Sequence, residues 1–354
     1  MQKAMKQWVM ASRPKGLVKV EDFRLEEVAI PNIRKGEALV KTLYLGVAPV
    51  MLRYMTNETT FEKPMEIGDV MIGRGVGCVV ASKSVAFKEG DLLQTKLGWR
   101  EYGVIKDEPY YMTYKMATQD LSPSYGVGAL GMNGFTSLIG MQEICKVKKG
   151  DKVLVSGAAG SVGSMAGFVA KALGCDILVG IAGGPEKCTM LTESLGYDYA
   201  IDYKTDGVPK KLDELFPDGI DVFFDNVGGE LLDEVLGRIN RRARIAICGR
   251  ISEYLIPPEA YHRPRNMYRI GLKDAKMEGF FVYDYQAEYP NYEKQLAQWI
   301  REGRLRPLED IGIGLEEMPN ALISLYKGTN GGTRMVKVFK DQGSVGKTSS
   351  INMP

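Results

Sequence analysis

The sequence predicts an α/β protein in which a partly open β-barrel domain precedes a doubly wound parallel sheet. Short strand patterns separated by Gly and Pro fill the first part of the chain, up to about residue 125. From residue 126 onward, strand and helix patterns alternate, which is typical of a parallel sheet covered by helices. The length of 354 residues favours two domains at roughly 100–200 residues each.

The elements of the first part are predicted from its turn residues and from the alternation of side chains between them. Residues 70–85 alternate apolar and small side chains, which indicates a bent barrel strand. The segment 88–91 (KEGD) predicts a turn, and residues 92–97 predict the strand that follows it. We therefore expect an all-β domain over residues 1–125.

The second part begins with residues 125–140, whose apolar spacing is helical but interrupted by glycine. Apolar runs predict strands at 153–155, 177–181, 221–225, 244–248 and 277–282, and periodic patterns predict helices at 164–173, 185–195 and 229–240. The charge run 241–244 (RRAR) is interpreted as the solvated end of the third of these helices. We expect this second domain to cover residues 126–298.

The last part predicts a helix at 316–326 and a strand at 334–339. We expect residues 299–342 to return to the N-terminal domain and residues 343–354 to form a polar tail.

Composition excludes several classes of function. Lys and Arg number 46 against 44 Asp and Glu, and a net charge of +2 provides no footprint for nucleic acid or an anionic membrane. No apolar run reaches the ~18 residues of a membrane span, and no signal-peptide core is present, so we expect a cytoplasmic protein. Five cysteines without a CxxC pair and the single His262 provide no motif for a catalytic zinc or for an imidazole base.

The strongest local motif lies in residues 153–175, where a strand, a Gly-rich turn and an amphipathic helix follow one another. The turn has the spacing Ala158-x-Gly160-x-x-Gly163, with Ser161 and Val162 between the two glycines. In this context the pattern is a dinucleotide fingerprint whose first glycine is alanine. Backbone N–H groups at the helix N-terminus would hold the pyrophosphate.

The end of the second strand distinguishes the two nicotinamide cofactors. An NAD site usually places an acid there, about 20 residues after the fingerprint. Here the strand ends in small residues up to Gly183 and Gly184, and Lys187 follows. This pattern favours NADP, with Lys187 and Tyr203 contacting the 2′-phosphate, although Lys187 could also be an ordinary surface lysine.

No metal motif is present, so we ask which nicotinamide-dependent reaction needs the fewest catalytic groups from the protein. That reaction is reduction of an activated C=C bond. Hydride adds to the β-carbon, and the developing enolate needs a hydrogen-bond donor and a proton source. A site rich in tyrosine fits that demand, and the chain has 18 tyrosines.

Several motifs in order carry a family resemblance: SGAAGSVG, AGGPEKC, DNVGGE, CGRIS, MEGFFVYDY and KGTNGGTRMVKV. Together they resemble the zinc-independent medium-chain dehydrogenase/reductases, in the branch of prostaglandin, alkenal and bacterial curcumin reductases. The resemblance implies a GroES-like barrel domain, a Rossmann domain and a homodimer. It also implies NADPH-dependent reduction of α,β-unsaturated ketones and aldehydes.

The resemblance assigns site residues by motif. Gly160 and Gly163 match the pyrophosphate turn, and Lys187 and Tyr203 match the 2′-phosphate contacts. The other positions assigned to the cofactor cleft are Ala158, Ser161, Val162, Gly183, Asn226, Cys248, Gly249, Ser252, Tyr254, Phe280, Val282 and Asn330.

Tyr254 also matches the tyrosine near the substrate carbonyl, and we expect it to be catalytic. The sequence departs from the family around this pocket, because Leu255 stands where Asn is usual. In GVAPVMLRYM, Ala48 and Val50 replace an acid and a tyrosine. Tyr54 lies close by and is expected to compensate as a second catalytic tyrosine. A larger or more apolar substrate is one hypothesis for these changes.

Three functions stay open at this point. The first is an NADPH-dependent enone reductase. A zinc-free quinone oxidoreductase would share the cofactor loop, and a cofactor-binding protein without turnover would share it too.

Overall fold

The computed structural model describes residues 4–56 and 62–340. The predicted polar tail, 343–354, lies outside the described residues.

The N-terminal part forms antiparallel strands around a barrel-like core. Its elements in chain order are β1 (Ala4–Met10), β2 (Phe23–Ala29), β3 (Glu37–Gly46), α1 (Met51–Tyr54), β4 (Arg74–Ser82), β5 (Leu92–Lys96), β6 (Tyr102–Lys106) and β7 (Tyr114–Lys115). Strands β1 and β2 pair with each other, whereas β3 pairs with both β4 and β6. The core under them includes Trp99, Met10 and Leu45, all fully buried.

The middle part forms a parallel sheet covered by helices, as the alternation predicts. Its elements are α2 (Met132–Leu138), β8 (Lys152–Ser156), α3 (Ser161–Ala172), β9 (Ile177–Ala182), α4 (Pro185–Glu193), β10 (Tyr199–Asp202), α5 (Val208–Leu215), β11 (Ile220–Asp225), α6 (Gly229–Leu236), β12 (Ile239–Ile247), α7 (Tyr268–Leu272), β13 (Lys276–Gly279) and α8 (Tyr289–Arg301). The strand order is β10-β9-β8-β11-β12-β13. Neighbouring β8 and β11 therefore end together at the point where the order reverses, which is where open α/β sheets bind ligands.

The remaining elements return to the N-terminal sheet. They are β14 (Glu309–Ile313), α9 (Met318–Lys327) and β15 (Thr333–Lys337). Strand β15 pairs antiparallel with β3 through Met335 and Gly46, and β14 joins the outer side of β15. The C-terminal part thus completes the sheet that the N-terminal part begins.

A buried carboxylate joins the two sheets. Tyr114 of β7 donates a hydrogen bond to Glu293 of α8, and the backbone N–H of Thr118 donates to the same carboxylate at 2.7 Å. Glu293 is 1% exposed, so its removal would leave buried donors unpaired. This contact fixes the cleft between the parts.

Two of the predicted elements are wrong in extent. The helix predicted over 229–240 ends at Leu236, because Ile239 pairs with Ile220 and begins β12. The run 241–244 therefore lies in a strand rather than at a helix end, and Arg244 makes an ion pair with Asp151 at 2.8 Å. The strand predicted over 277–282 stops at Gly279, where a 3-10 segment soon follows.

No helix in the described part of the chain is both long and apolar enough to cross a membrane.

Candidate functional site

The Gly-rich turn between β8 and α3 lies at the reversal point of the sheet. A Cβ at Gly163 would stand 2.3 Å from the carbonyl oxygen of Gly157, so only glycine lets α3 start this close to the turn. At Gly160 the nearest atom to a Cβ is the same oxygen, at 3.2 Å. The cleft side of Gly160 is therefore open, as a pyrophosphate would require.

Ala158 occupies the place of the first fingerprint glycine without distortion. Its N–H donates to the carbonyl of Ile181 at 3.0 Å, and its side chain is fully buried. Ser161 and Val162 are the first two residues of α3, and one polar group of each forms a hydrogen bond within the protein. The Ser161 hydroxyl donates to Gly332 at 3.3 Å, and the Val162 carbonyl accepts from Ser137 at 2.9 Å.

The end of β9 forms a positively charged corner. A Cβ at Gly183 would meet the ring of Tyr203 at 2.6 Å, so the glycine lets that ring lie over the turn. Lys187 on α4 is half-buried, and its pKa is lowered by burial and by the charge of Lys204. Among the described residues Lys187 forms no ion pair. A phosphate dianion would supply the counter-charge that Lys187 lacks among the described residues.

One acid that the sequence argument did not consider lies at this corner. Asp202, at the end of β10, accepts hydrogen bonds from the N–H groups of Gly184 at 2.9 Å and Lys204 at 3.0 Å. These bonds tie its carboxylate to the backbone. Asp202 thereby shapes the turn that presents Lys187.

Asn226 and Cys248 lie at the ends of the central strands. The Asn226 amide donates to the carbonyl of Ser156 at 2.7 Å, and Asp225 beside it accepts from the Ser156 hydroxyl at 2.8 Å. Burial raises the pKa of the Asp225 carboxyl. Burial also raises the pKa of the Cys248 thiol to about 12, so that the thiol stays neutral. The N–H of Gly249 donates to the Asp225 carbonyl at 3.0 Å.

Three predicted cofactor residues have other partners in this structure. The Ser252 hydroxyl donates to the Val227 carbonyl at 2.6 Å. The Val282 carbonyl accepts from the Tyr289 hydroxyl at 3.0 Å. Phe280 makes an edge contact with Phe224 at the base of the sheet. The Ser252 hydroxyl and the Val282 carbonyl therefore form hydrogen bonds within the protein that stabilise the wall of the cleft.

The segment before β15 folds over the cofactor turn. Gly332 forms a bridge with Gly160, and its N–H donates to the Ala159 carbonyl at 3.2 Å. A Cβ at Gly328 would lie 3.9 Å from the Lys187 ammonium nitrogen. Asn330 between them is 7% exposed. This segment brings Asn330 to the same edge as the glycine turn.

A cavity of about 190 Å³ opens between the two sheets. Its walls include two of the three positions that depart from the family pattern, Ala48 and Val50, together with Tyr54 at the end of α1. The third, Leu255, is 50% exposed and does not line the cavity. The turn before α1 is held by Tyr326, whose hydroxyl donates to the Pro49 carbonyl.

Of the two predicted catalytic tyrosines, Tyr54 lines this cavity, whereas Tyr254 is not among its lining residues. Burial raises the pKa of Tyr54, and the charges of Glu62, Tyr283 and Tyr254 raise it further. Burial likewise raises the pKa of Tyr254. Both phenols are therefore neutral O–H donors near pH 7. A neutral donor stabilises a developing enolate oxygen.

Comparison with known proteins decides the family. The family described as an N-terminal domain of oxidoreductase matches residues 6–112, and that described as a zinc-binding dehydrogenase matches residues 161–299. The NADPH-dependent curcumin reductase of Escherichia coli is 36% identical over 95% of this chain and 97% of its own length. The NADP(+)-dependent 2-alkenal reductase of Nicotiana tabacum is 38% identical over 95% of this chain and 98% of its own.

This chain belongs to the zinc-independent medium-chain dehydrogenase/reductase family. A solved structure of CurA in complex with NADPH, from Vibrio vulnificus, superposes with a TM-score of 0.86. It is 34% identical and covers 95% of this chain and 99% of its own.

The name of one matching family refers to zinc, and the residues here do not fit that metal. Within 4–56 and 62–340, no group of three or more His, Cys, Asp or Glu side chains could hold a metal ion. His262 instead lies 3.0 Å from Asp233. Burial alone would raise the pKa of Asp233, but hydrogen bonds from His262 and from backbone N–H groups lower it to about 2.

Sequence reasoning missed several cavity residues of this family member. Arg74 and Tyr283 line the cavity, and so does Lys96, which forms an ion pair with Glu62. These residues come from four separate segments, and no motif links them. A signal existed for Arg74, which is a charged residue within the otherwise apolar and small run of β4.

Proposed function

We propose that this protein reduces the activated C=C bond of α,β-unsaturated ketones or aldehydes with NADPH. The relatives named above are NADPH- or NADP-dependent reductases that match nearly the whole chain. The observation that carries the proposal is the glycine turn at the reversal point of the sheet, with Lys187 half-buried after the next strand and without an ion pair among the described residues. NADPH, when bound, supplies the hydride that adds to the β-carbon of the substrate.

The residues of the turn and corner hold the cofactor. Gly160 and Gly163 permit the pyrophosphate to approach the N-terminus of α3, and Lys187 with Tyr203 contacts the 2′-phosphate. The Asn330 segment closes the cleft over them and excludes water. These assignments are consistent with the half-buried cation at Lys187 and the close approach at Gly163.

Tyr254 and Tyr54 act on the substrate side. In this proposal the Tyr254 hydroxyl donates a hydrogen bond to the carbonyl oxygen, where negative charge develops when the enolate forms. Tyr54 lines the cavity and supports the orientation of the same carbonyl. A phenol with the usual pKa of about 10 is already protonated at neutral pH. Burial raises the pKa of both tyrosines further, so both remain hydrogen-bond donors.

Loss of absorbance at 340 nm tests the function. NADPH is mixed with a panel of enones, enals and quinones, and the panel is repeated with NADH. We expect oxidation with an enone and NADPH, and much less with NADH. Oxidation with quinones alone would instead favour a quinone oxidoreductase, and tight NADPH binding without any oxidation would favour a protein without turnover.

A homodimer is the second part of the proposal. Strand β13 is the outer strand of the parallel sheet, and the helix before it exposes Tyr268 and Leu272 at 56% and 71%. An exposed sheet edge next to apolar side chains favours pairing with a second copy. Sedimentation at micromolar concentration tests this, and a monomer there would refute it.

The predicted domain division and location complete the proposal. The division into 1–125, 126–298 and 299–342 is supported by an apolar core in which residues of the first segment pack with Leu315, Met318 and Val336 of the third. The core of the parallel sheet lies mainly within 126–298 but also takes in Tyr114 and Leu305. A cytoplasmic location is supported by five cysteines that form no disulfide. Limited proteolysis and cell fractionation test these two expectations.

A further inference from the structure

The cavity beside Tyr54 carries an uncompensated positive charge. Three cationic side chains line it, and two of them have carboxylate partners: Lys96 pairs with Glu62, and Arg334 pairs with Asp310 at 2.6 Å. Arg74 forms no ion pair with any carboxylate among the described residues. The cavity is therefore electrostatically suited to an anion.

Arg74 is held in place by neutral contacts. One terminal nitrogen, Nη2, donates to the Met112 carbonyl at 2.9 Å, and the guanidinium lies 5.5 Å from the centre of the Tyr283 ring. The other terminal nitrogen, Nη1, is closed off from solvent and has no hydrogen-bond partner within residues 4–56 and 62–340. These contacts fix the plane of the guanidinium. They do not neutralise its charge, and some of its N–H groups form no hydrogen bond with the described residues.

A partly enclosed cation without a counter-charge is costly, because it loses hydration that nothing replaces. A carboxylate removes this cost, since its two oxygens match the paired N–H groups of a guanidinium. The other cavity walls include the apolar side chains Val47, Val50, Ile72, Met51, Val127 and Met132. Such walls suit an aliphatic chain.

We propose that Arg74 binds a carboxylate on the substrate, so that the substrate class is an enone or enal bearing an acid on an aliphatic chain. Ala48 and Val50 leave space for that chain where the family pattern has an acid and a tyrosine. The absence of an acid at position 48 also removes a charge that would repel the carboxylate. This inference rests on the proposed reductase function.

Matched substrates test it first. Terminal enones with an ω-carboxylate on chains of four, six or eight carbons are compared with their methyl esters, using NADPH oxidation. We expect kcat/KM for at least one acid to exceed that of its ester about 10-fold or more. Esters that equal or exceed the acids at every chain length would overturn the proposal.

Variants then locate the effect. Arg74→Gln is expected to lower kcat/KM for the preferred acid about 10- to 100-fold and to leave its ester within about threefold. Arg74→Lys should retain part of the acid preference, because it keeps the charge but loses the paired geometry. Arg24→Gln, on the exposed strand β2, removes the same charge elsewhere and should leave the acid-to-ester ratio unchanged. An equal loss for acid and ester in Arg74→Gln would indicate a structural role and refute the inference.

Binding provides a readout without turnover. The saturated ω-carboxy ketone, added with NADP+, should raise the Tm of the parent protein more than its methyl ester does, and Arg74→Gln should abolish that difference. The same Tm rise with acid and ester in the parent protein would contradict the inference. If no enone of either kind oxidises NADPH, the reductase function itself fails, and that result is distinct from equal turnover of acids and esters.

Discussion

Replacing Lys187 by Gln removes the cation at the proposed 2′-phosphate corner while keeping a polar side chain of similar length. Burial and the neighbouring charge of Lys204 lower the pKa of Lys187. The ammonium therefore costs free energy in the cofactor-free protein. A phosphate dianion would offset that cost, because it supplies the missing counter-charge.

The magnitude follows from the half-buried position of Lys187. A hydrogen bond to a charged group contributes about 1.5–3 kcal/mol, and partial solvent exposure favours the lower part of that range. A loss of about 1.5–2 kcal/mol corresponds to a KM for NADPH that is about 10- to 30-fold higher. The KM for NADH should stay the same, since NADH has no phosphate at this position.

Initial rates with a fixed enone and varied NADPH or NADH provide the assay. Lys210→Gln is the matched control, because Lys210 is an exposed lysine on α5, away from the fingerprint turn. The control should leave both KM values unchanged. The cofactor-free Lys187→Gln protein should also melt no lower than the parent, since an unfavourably desolvated charge is gone. An equal rise in both KM values, or an unchanged preference for NADPH, would refute the assignment of Lys187.

Three further predictions concern catalysis, the cofactor turn and stability. Tyr254→Phe should lower kcat about 100-fold with little change in the KM for NADPH. The control variant Tyr199→Phe, at the exposed end of β10, should change neither value. An unaltered kcat in Tyr254→Phe would show that this tyrosine takes no part in the mechanism. Gly163→Ala places a Cβ 2.3 Å from the Gly157 carbonyl oxygen and should therefore weaken NADPH binding at least 10-fold, measured by fluorescence titration. An affinity equal to that of the parent protein would show that the turn is not the cofactor site. The Asp233 carboxyl, whose pKa is lowered to about 2 from a usual value of 3.8, contributes stability that is present above pH ~4 and is lost as the pH falls toward 2. Asp233→Asn should therefore lower the free energy of unfolding by about 2 kcal/mol at pH 7 and by less near pH 3, measured with urea; an equal deficit at both pH values would contradict this linkage.

Local patterns were sufficient for most of the parallel sheet. The predicted strands at 153–155 and 177–181 lie within β8 and β9, because short apolar runs between turns are buried on both faces. The error at 229–240 has a tertiary cause. Apolar spacing continues through Ile239, but pairing of Ile239 with Ile220 ends the helix early and starts β12. The helix α5 (Val208–Leu215) was missed, since only Leu212 in it is buried.

The candidate site divides in the same way. The fingerprint turn is a contiguous segment. Its residues and the N-terminus of the helix that follows can therefore be predicted from the sequence. The substrate cavity is not contiguous, because Tyr54, Arg74 and Tyr283 belong to three segments that pack together only after both sheets have formed. Sequence motifs could suggest Tyr54 and Tyr254, but only the fold shows that each is buried and neutral.

The sequence by itself determined the fold class, the family and the cofactor turn, because each depends on short-range patterns of apolar residues, glycines and motifs in order. The tertiary structure alone decided which charges face the cavity. Lys96 and Arg334 form ion pairs there, whereas Arg74 forms none with the residues that the structure describes. This difference arises from distances between residues that are far apart in the chain. Electrostatic compensation depends on those distances, so it cannot be inferred from residue types alone.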